Sequence, residues 1–313
     1  MLSYLLLLAG LAILVFGGDI LVRGAVSVAE RFAVSPLIIG LTIVSLGTSA
    51  PELFISVQAA LAGSGGLAVG NVVGSNIANV LLVLGLPALI AAQPVKEDGV
   101  GKNILVMLGI TVVFMAMMSK GRMGVLDGLI LLGLLTVFLW DQYRTSVKAN
   151  GDAPDYHDEI GEGPSSPTVA GLFLLFGIIL LPIGAQLTVY GAHDIALRWG
   201  LSDEVIGLTV VAIGTSLPEL AASTMAVIRG NSNLAIGNVV GSNIFNIAAI
   251  MGLTVVIAPI PIGDHIIHLD MWVMLAVALG LGYIAMFHEA ITRLFGLVLI
   301  VAYTSYIVFA LIS

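Results

Sequence analysis

The chain has 313 residues, is 59% hydrophobic and only 10% charged, and carries a formal net charge of −8. A water-soluble domain averages about 25% charged residues; this much apolar surface cannot be hidden from water, so the composition places the chain in a bilayer. The acidic balance argues against a nucleic-acid partner, and the lack of cysteine excludes disulfides, thiolate metal sites and thiol catalysis.

Crossing about 30 Å of hydrocarbon takes about 20 helical residues, and the apolar runs predict about ten helices. The first, 2–29, has no basic n-region before it and reads as a retained span rather than a signal peptide. Four more follow at 36–62, 67–92, 103–118 and 124–143. Residues 144–168 form a polar linker that holds Asp152, Asp155, Asp158, Glu159 and Glu162. Their spacing does not match an EF-hand loop, so the linker reads as a solvated connector. Helices are then expected at 169–197, 204–228, 234–257, 269–287 and 291–312. Long apolar runs without alternation define an all-α integral membrane protein, not a barrel. The Lys and Arg bias of the short loops puts both termini outside and the linker in the cytoplasm, as a multi-pass protein of the cell (inner) membrane.

The second half repeats the first. GLTIVSLGTSAPEL at 40–53 recurs as GLTVVAIGTSLPEL at 207–220, and GNVVGSNIAN at 70–79 recurs as GNVVGSNIFN at 237–246. Both pairs share one offset of 167 residues, which also aligns Gly17, Gly24 and Arg31 with Gly184, Gly191 and Arg198. The chain therefore divides into a five-helix repeat at 1–143, the linker at 144–168 and a second repeat at 169–313. Five spans per half turn the second half upside down, and inverted repeats place a transport site near the midplane where the halves meet.

The duplicated residues are polar where lipid demands apolar ones. Glu52 and Glu219 fall near the middle of long apolar helices, where a carboxylate costs about 2.5–3.5 kcal/mol. Two of them brought together would also repel, and a divalent cation relieves both penalties. Pro51 and Pro218 precede the glutamates and break the helical hydrogen-bonding pattern, freeing the carbonyls of Gly47 and Gly214 beside the hydroxyls of Thr48, Ser49, Thr215 and Ser216. An all-oxygen donor set of this kind selects hard cations such as calcium and sodium. In the second motif, Gly70, Gly74, Gly237 and Gly241 permit close helix packing. Asn79 and Asn246 share a helix face with Ser75 and Ser242 and present neutral oxygens. Asp19 and Arg23, four residues apart, read as an ion pair. His193, His265, His268 and His288 lie near helix ends and read as structural, and His157 falls in the linker.

The paired GTSxPE and GNxxGSN blocks resemble the alpha-repeats of the calcium/cation antiporter superfamily, in its sodium/calcium exchanger branch, over essentially all of both halves. The resemblance implies ten helices, the second, third, seventh and eighth forming the ion-binding core and the first and sixth sliding against it. It implies calcium ligands Glu52, Glu219, Thr48 and Thr215. It implies sodium sites built from Ser49, Ser75, Ser216 and Ser242, the carbonyls of Ser45 and Ala212, and the two glutamates, with Asn79 and Asn246 central. Many members carry Asp where this chain has Asn246. The expected activity is secondary antiport of calcium for sodium, not enzymatic catalysis. It involves no cofactor and no partner beyond the lipid bilayer and the transported ions, with the chain acting as a monomer. A proton-driven or potassium-dependent exchange stays open.

Overall fold

The computed structural model describes residues 2–32, 34–96, 98–149, 164, 166–199 and 212–312. The acidic linker residues, His157 and the start of the expected helix at 204 lie outside them. Twelve helical segments are described. They are α1 (Leu2–Arg31), α2 (Pro36–Thr48), α3 (Ala50–Leu61), α4 (Gly65–Ile90), α5 (Val100–Met118) and α6 (Val125–Ala149) in the first half. The second half holds α7 (Pro167–Arg198), α8 (Ala212–Thr215), α9 (Leu217–Ile228), α10 (Ser232–Ile257), α11 (Ile266–Phe287) and α12 (Arg293–Ile312). Eight are long and apolar enough to cross a membrane, and α2 with α3 makes a ninth span bent by 46°. The short apolar α9 follows a corresponding break after α8. The fold is therefore nearly all helical, as expected for about ten spans.

The first and sixth spans demonstrate the inversion. Gly10, Gly17 and Gly24 on α1 and Gly177, Gly184 and Gly191 on α7 recur every seven residues, which lines them along one face. A Cβ at Gly10 would lie 2.7 Å from the Gly184 carbonyl, and one at Gly24 would lie 2.6 Å from the Leu174 nitrogen. A Cβ at Gly191 would lie 2.5 Å from the Leu7 nitrogen. As the numbers rise on one helix they fall on the other, so these equivalent helices run antiparallel with backbones in close approach.

Each half is completed by the other. The glycines equivalent across the repeat, Gly85 and Gly252, pack respectively on Gly296 of α12 and Gly128 of α6. Each last helix thus lies on the opposite half's core. Short antiparallel pairings repeat the exchange: β1 (Gln93–Pro94) pairs with β4 (Ala290–Ile291), and β2 (Arg122–Met123) with β3 (Ile260–Pro261). Apolar side chains of α4 and α10 fill the centre, with 72% and 78% of their spanning windows buried against 11% for α12.

Two equivalent tight turns set up the core hairpins. Gly63 and Gly230 both have positive φ, 79° and 77°, a conformation open to glycine. Ser64 N–H and Asn231 N–H donate back to the Ala59 and Ala226 carbonyls, closing the last turns of α3 and α9. The fifth span departs from the expected boundary: α6 runs to Ala149 rather than ending at 143. Its last turns leave the apolar zone as a polar helical stem, with the Arg144 guanidinium stacked 5.2 Å from the Trp140 ring centroid.

Candidate cation site

The glutamates do not sit inside continuous helices. The chain breaks at Ser49 (φ −84°, ψ 8°) and at Ser216 (φ −87°, ψ 3°), and α3 and α9 restart immediately after. Pro51 and Pro218 thereby occupy first turns, where a missing N–H is harmless, and Glu52 and Glu219 fall in the same first turns. The partial positive charge of a helix N-terminus favours a carboxylate there. Discontinuous helices that aim their ends at the bilayer midplane are how inverted-repeat transporters build ion sites.

Both carboxylates are 1% exposed. The Ser49 hydroxyl donates to Glu219 Oε1 at 3.0 Å, bridging the two halves. Thr48 Oγ1 donates to Asn238 Oδ1 at 3.2 Å, also across the halves. Asn238 Nδ2 in turn donates to Ser223 Oγ at 3.0 Å and to the Glu219 carbonyl at 3.4 Å. The equivalent Asn71 repeats this with Ser56 Oγ at 2.9 Å and the Glu52 carbonyl at 3.3 Å. These asparagines position the glutamate-bearing turns. Ser56 and Ser223 were not among the expected site residues, although their identity at the 167-residue offset marks them.

The remaining expected residues distribute as follows. Ser75 and Ser242 are buried, and Asn79 and Asn246 are 1% and 0% exposed. Both asparagines stand in π-helical turns, at the head of Asn79–Val83 and within Phe245–Met251. A π-turn turns a helix's side chains out of their ordinary register and is frequent at functional sites; nothing in the apolar pattern announced it. Asn79 Nδ2 donates to Asn243 Oδ1 at 3.1 Å. Thr215 lies in α8, half-buried, and Ala212 is the first described residue of that helix. The Ser45 carbonyl accepts from Ser49 N–H at 3.0 Å, and the Ser45 hydroxyl donates to the Asn238 carbonyl at 2.9 Å. Asp19 does pair with Arg23, at 3.8 Å, but its closer partner is Arg229, whose Nε stands 2.8 Å away. That ion pair ties α1 to the end of α9.

Several buried atoms of this set have no hydrogen-bond partner: both Glu52 oxygens, Glu219 Oε2, Asn79 Oδ1, the Asn246 amide, and the Ser216 and Ser242 hydroxyls. Each such group costs about 1–3 kcal/mol when buried unpaired. Seven oxygens and one amide nitrogen from both halves thus lack partners, two of the side chains being carboxylates. Oxygen donors of this kind suit a hard cation.

The fold and the site together define a membrane antiporter of the inverted-repeat class. Residues 2–144 and 169–312 match the sodium/calcium exchanger protein family, and the chain belongs to that family. It is 33% identical to the sodium/calcium exchanger MaX1 of Methanosarcina acetivorans, covering 98% of this chain and 97% of that protein. It is 37% identical to the inner membrane protein YrbG of Escherichia coli, over 89% and 87% of the two chains. Among solved structures it superposes on the sodium–calcium exchanger NCX_Mj soaked with sodium and strontium, with a TM-score of 0.84, 35% identity and 98% of each chain covered.

Proposed function

We propose that this antiporter exchanges calcium for sodium by alternating access, extruding calcium from the cytoplasm of a bacterial or archaeal cell as sodium enters. The observation that carries the reading is the pair of fully buried glutamates, one from each half, at the broken ends of α3 and α9. Calcium is held by Glu52, Glu219, Thr48 and Thr215. Sodium takes positions served by Ser45, Ser49, Ser75, Ala212, Ser216 and Ser242 with the same two glutamates, and Asn79 and Asn246 stand between. Pro51 and Pro218 keep the helices broken there. The names of the relatives support the two ions: MaX1 is called a sodium/calcium exchanger, and NCX_Mj is a sodium–calcium exchanger.

Coupling follows from electrostatics. An empty site carries two bare carboxylates, and moving them through a low-dielectric interior costs several kcal/mol. The loaded site crosses readily and the empty one does not, so one ion leaves only when the other enters. The chain is organised for this as repeat 1–143, cytoplasmic connector 144–168 and repeat 169–313, with both termini outside. It works as a monomer in the inner membrane. Purified protein in liposomes should take up radioactive calcium when sodium is trapped inside, and Glu52→Gln should abolish the uptake. Uptake driven by a proton gradient in the absence of sodium, or unchanged uptake in Glu52→Gln, would refute the reading.

A further inference from the structure

A side-chain amide can turn either its oxygen or its NH2 toward a ligand, and its fixed partners decide which. A hard cation takes only the oxygen. The Asn79 amide is fixed by a chain of bonds that starts on α5. The Met107 thioether has lone pairs and no hydrogen, so it can only accept. Asn243 Nδ2 donates to its sulfur at 3.5 Å. That leaves the Asn243 oxygen on the other side of the amide, where it accepts from Asn79 Nδ2 at 3.1 Å. With its NH2 engaged in this way, Asn79 keeps Oδ1 buried and without a partner. Met107, Asn243 and Asn79 are 1%, 2% and 1% exposed, so bulk water does not compete for either bond.

The counterpart chain across the repeat is not joined. The offset of 167 residues matches Met107 with Met274, Asn243 with Asn76 and Asn79 with Asn246. Asn76 Nδ2 donates instead to the Val72 carbonyl of its own helix, at 2.7 Å, and neither atom of the Asn246 amide has a partner. The same residue types stand in both places, and only the set that ends on Asn79 is connected.

We infer that Met107 and Asn243 are positioning residues for transport, holding the Asn79 amide with its oxygen, and not its NH2, toward the transported cation. The inference rests on the reading above that places Asn79 at the cation site. Both residues act through Asn79, as outer partners do that fix the orientation of a metal ligand.

The test is calcium binding to the purified protein by isothermal titration calorimetry, in two backgrounds. Asn243→Ala should weaken binding by about 10–100-fold in the otherwise unmodified chain. In an Asn79→Asp background the two side-chain oxygens are alike and no orientation is left to set, so Asn243→Ala should then cost no affinity. Met107→Leu keeps the side-chain volume and removes the acceptor. It should weaken binding in the same background-dependent way, and it serves where Asn243→Ala does not fold. Asn76→Ala, at the equivalent position outside the chain of bonds, should bind calcium as the unmodified protein does. A loss of equal size in both backgrounds, or one in Asn76→Ala that matches Asn243→Ala, overturns the inference, because damaged packing acts regardless of which atom Asn79 presents. Unchanged affinity in Asn243→Ala overturns it too and leaves calcium–sodium exchange standing. An unmodified chain that binds no calcium removes the exchange itself and the positioning role with it.

Discussion

The Ser49 hydroxyl donates to Glu219 at 3.0 Å, across 170 residues of chain, whereas the equivalent Ser216 hydroxyl is buried without a partner. Two equivalent serines are therefore held in unequal hydrogen-bonding states. A hydrogen bond to a charged group contributes about 1.5–3 kcal/mol, and a buried hydroxyl without a partner contributes a penalty. Ser49→Ala should lower the thermal stability of the calcium-free protein by that amount, and Ser216→Ala should leave it unchanged or raise it. Melting curves in detergent with a chelator distinguish the two; equal losses would mean that the asymmetry is absent in solution.

Calcium itself should act as a stabiliser. A ligand that binds only the folded state adds about 2.7 kcal/mol at one hundred times its dissociation constant. Chelation should lower the melting temperature and added calcium should restore it. Glu52→Gln and Glu219→Gln remove half of the site charge each, so both should fold and both should lose the calcium-induced shift.

How much of this was legible beforehand depended on which residues carried the signal. The repeat, the two glutamates and the count of spans were readable because polar identities at a constant offset cannot arise from hydrophobic composition. The prolines located the breaks but not their form: a proline in a helix reads as a kink, and only the backbone at Ser49 and Ser216 shows separate helices with each glutamate in a first turn. The π-turns at Asn79 and Asn246 had no signal, since one extra residue per turn leaves an apolar run apolar. The exchange of α6 and α12 between halves was equally hidden. Each helix packs on a neighbour that sequence adjacency does not name, and Gly85 meets Gly296 from more than 200 residues away. The close partner of Asp19 was missed for the same reason: Arg23 is four residues off in sequence, while Arg229 arrives from the other half.

The crossing of α2 and α10 should tolerate no added atoms. A Cβ at Gly237 would lie 2.5 Å from the Leu37 carbonyl, and one at Gly241 would lie 2.6 Å from the Leu41 carbonyl and 2.2 Å from the Ser45 hydroxyl. Backbone cannot yield as a side-chain tip can, and overpacking costs about 1–3 kcal/mol. Gly237→Ala and Gly241→Ala should each lose that much stability. The exposed Gly109 of α5 has nothing within 4 Å of its added Cβ, so Gly109→Ala should gain up to about 1 kcal/mol from helix propensity alone. Calcium uptake should fail in Gly241→Ala, which also displaces Ser45, and persist in Gly109→Ala.

Asn238 offers the sharpest test of whether the two halves act as one site. Its amide donates to Ser223 and to the Glu219 carbonyl within its own half, and its Oδ1 accepts from Thr48 of the other half. Asn238→Ala unpairs groups on both sides, so its cost should exceed that of Asn71→Ala, whose amide is less deeply buried and bonds within one half. Thr48→Ala alone should cost about 1 kcal/mol, the net value of one neutral hydrogen bond. In the double variant Thr48→Ala/Asn238→Ala the shared bond is lost once rather than twice, so the combined loss should fall short of the sum of the two single losses by about 1 kcal/mol, the net value of that bond. Chemical or thermal unfolding of the four proteins gives that coupling directly. Strict additivity would mean that α2 and α10 do not support each other through this bond.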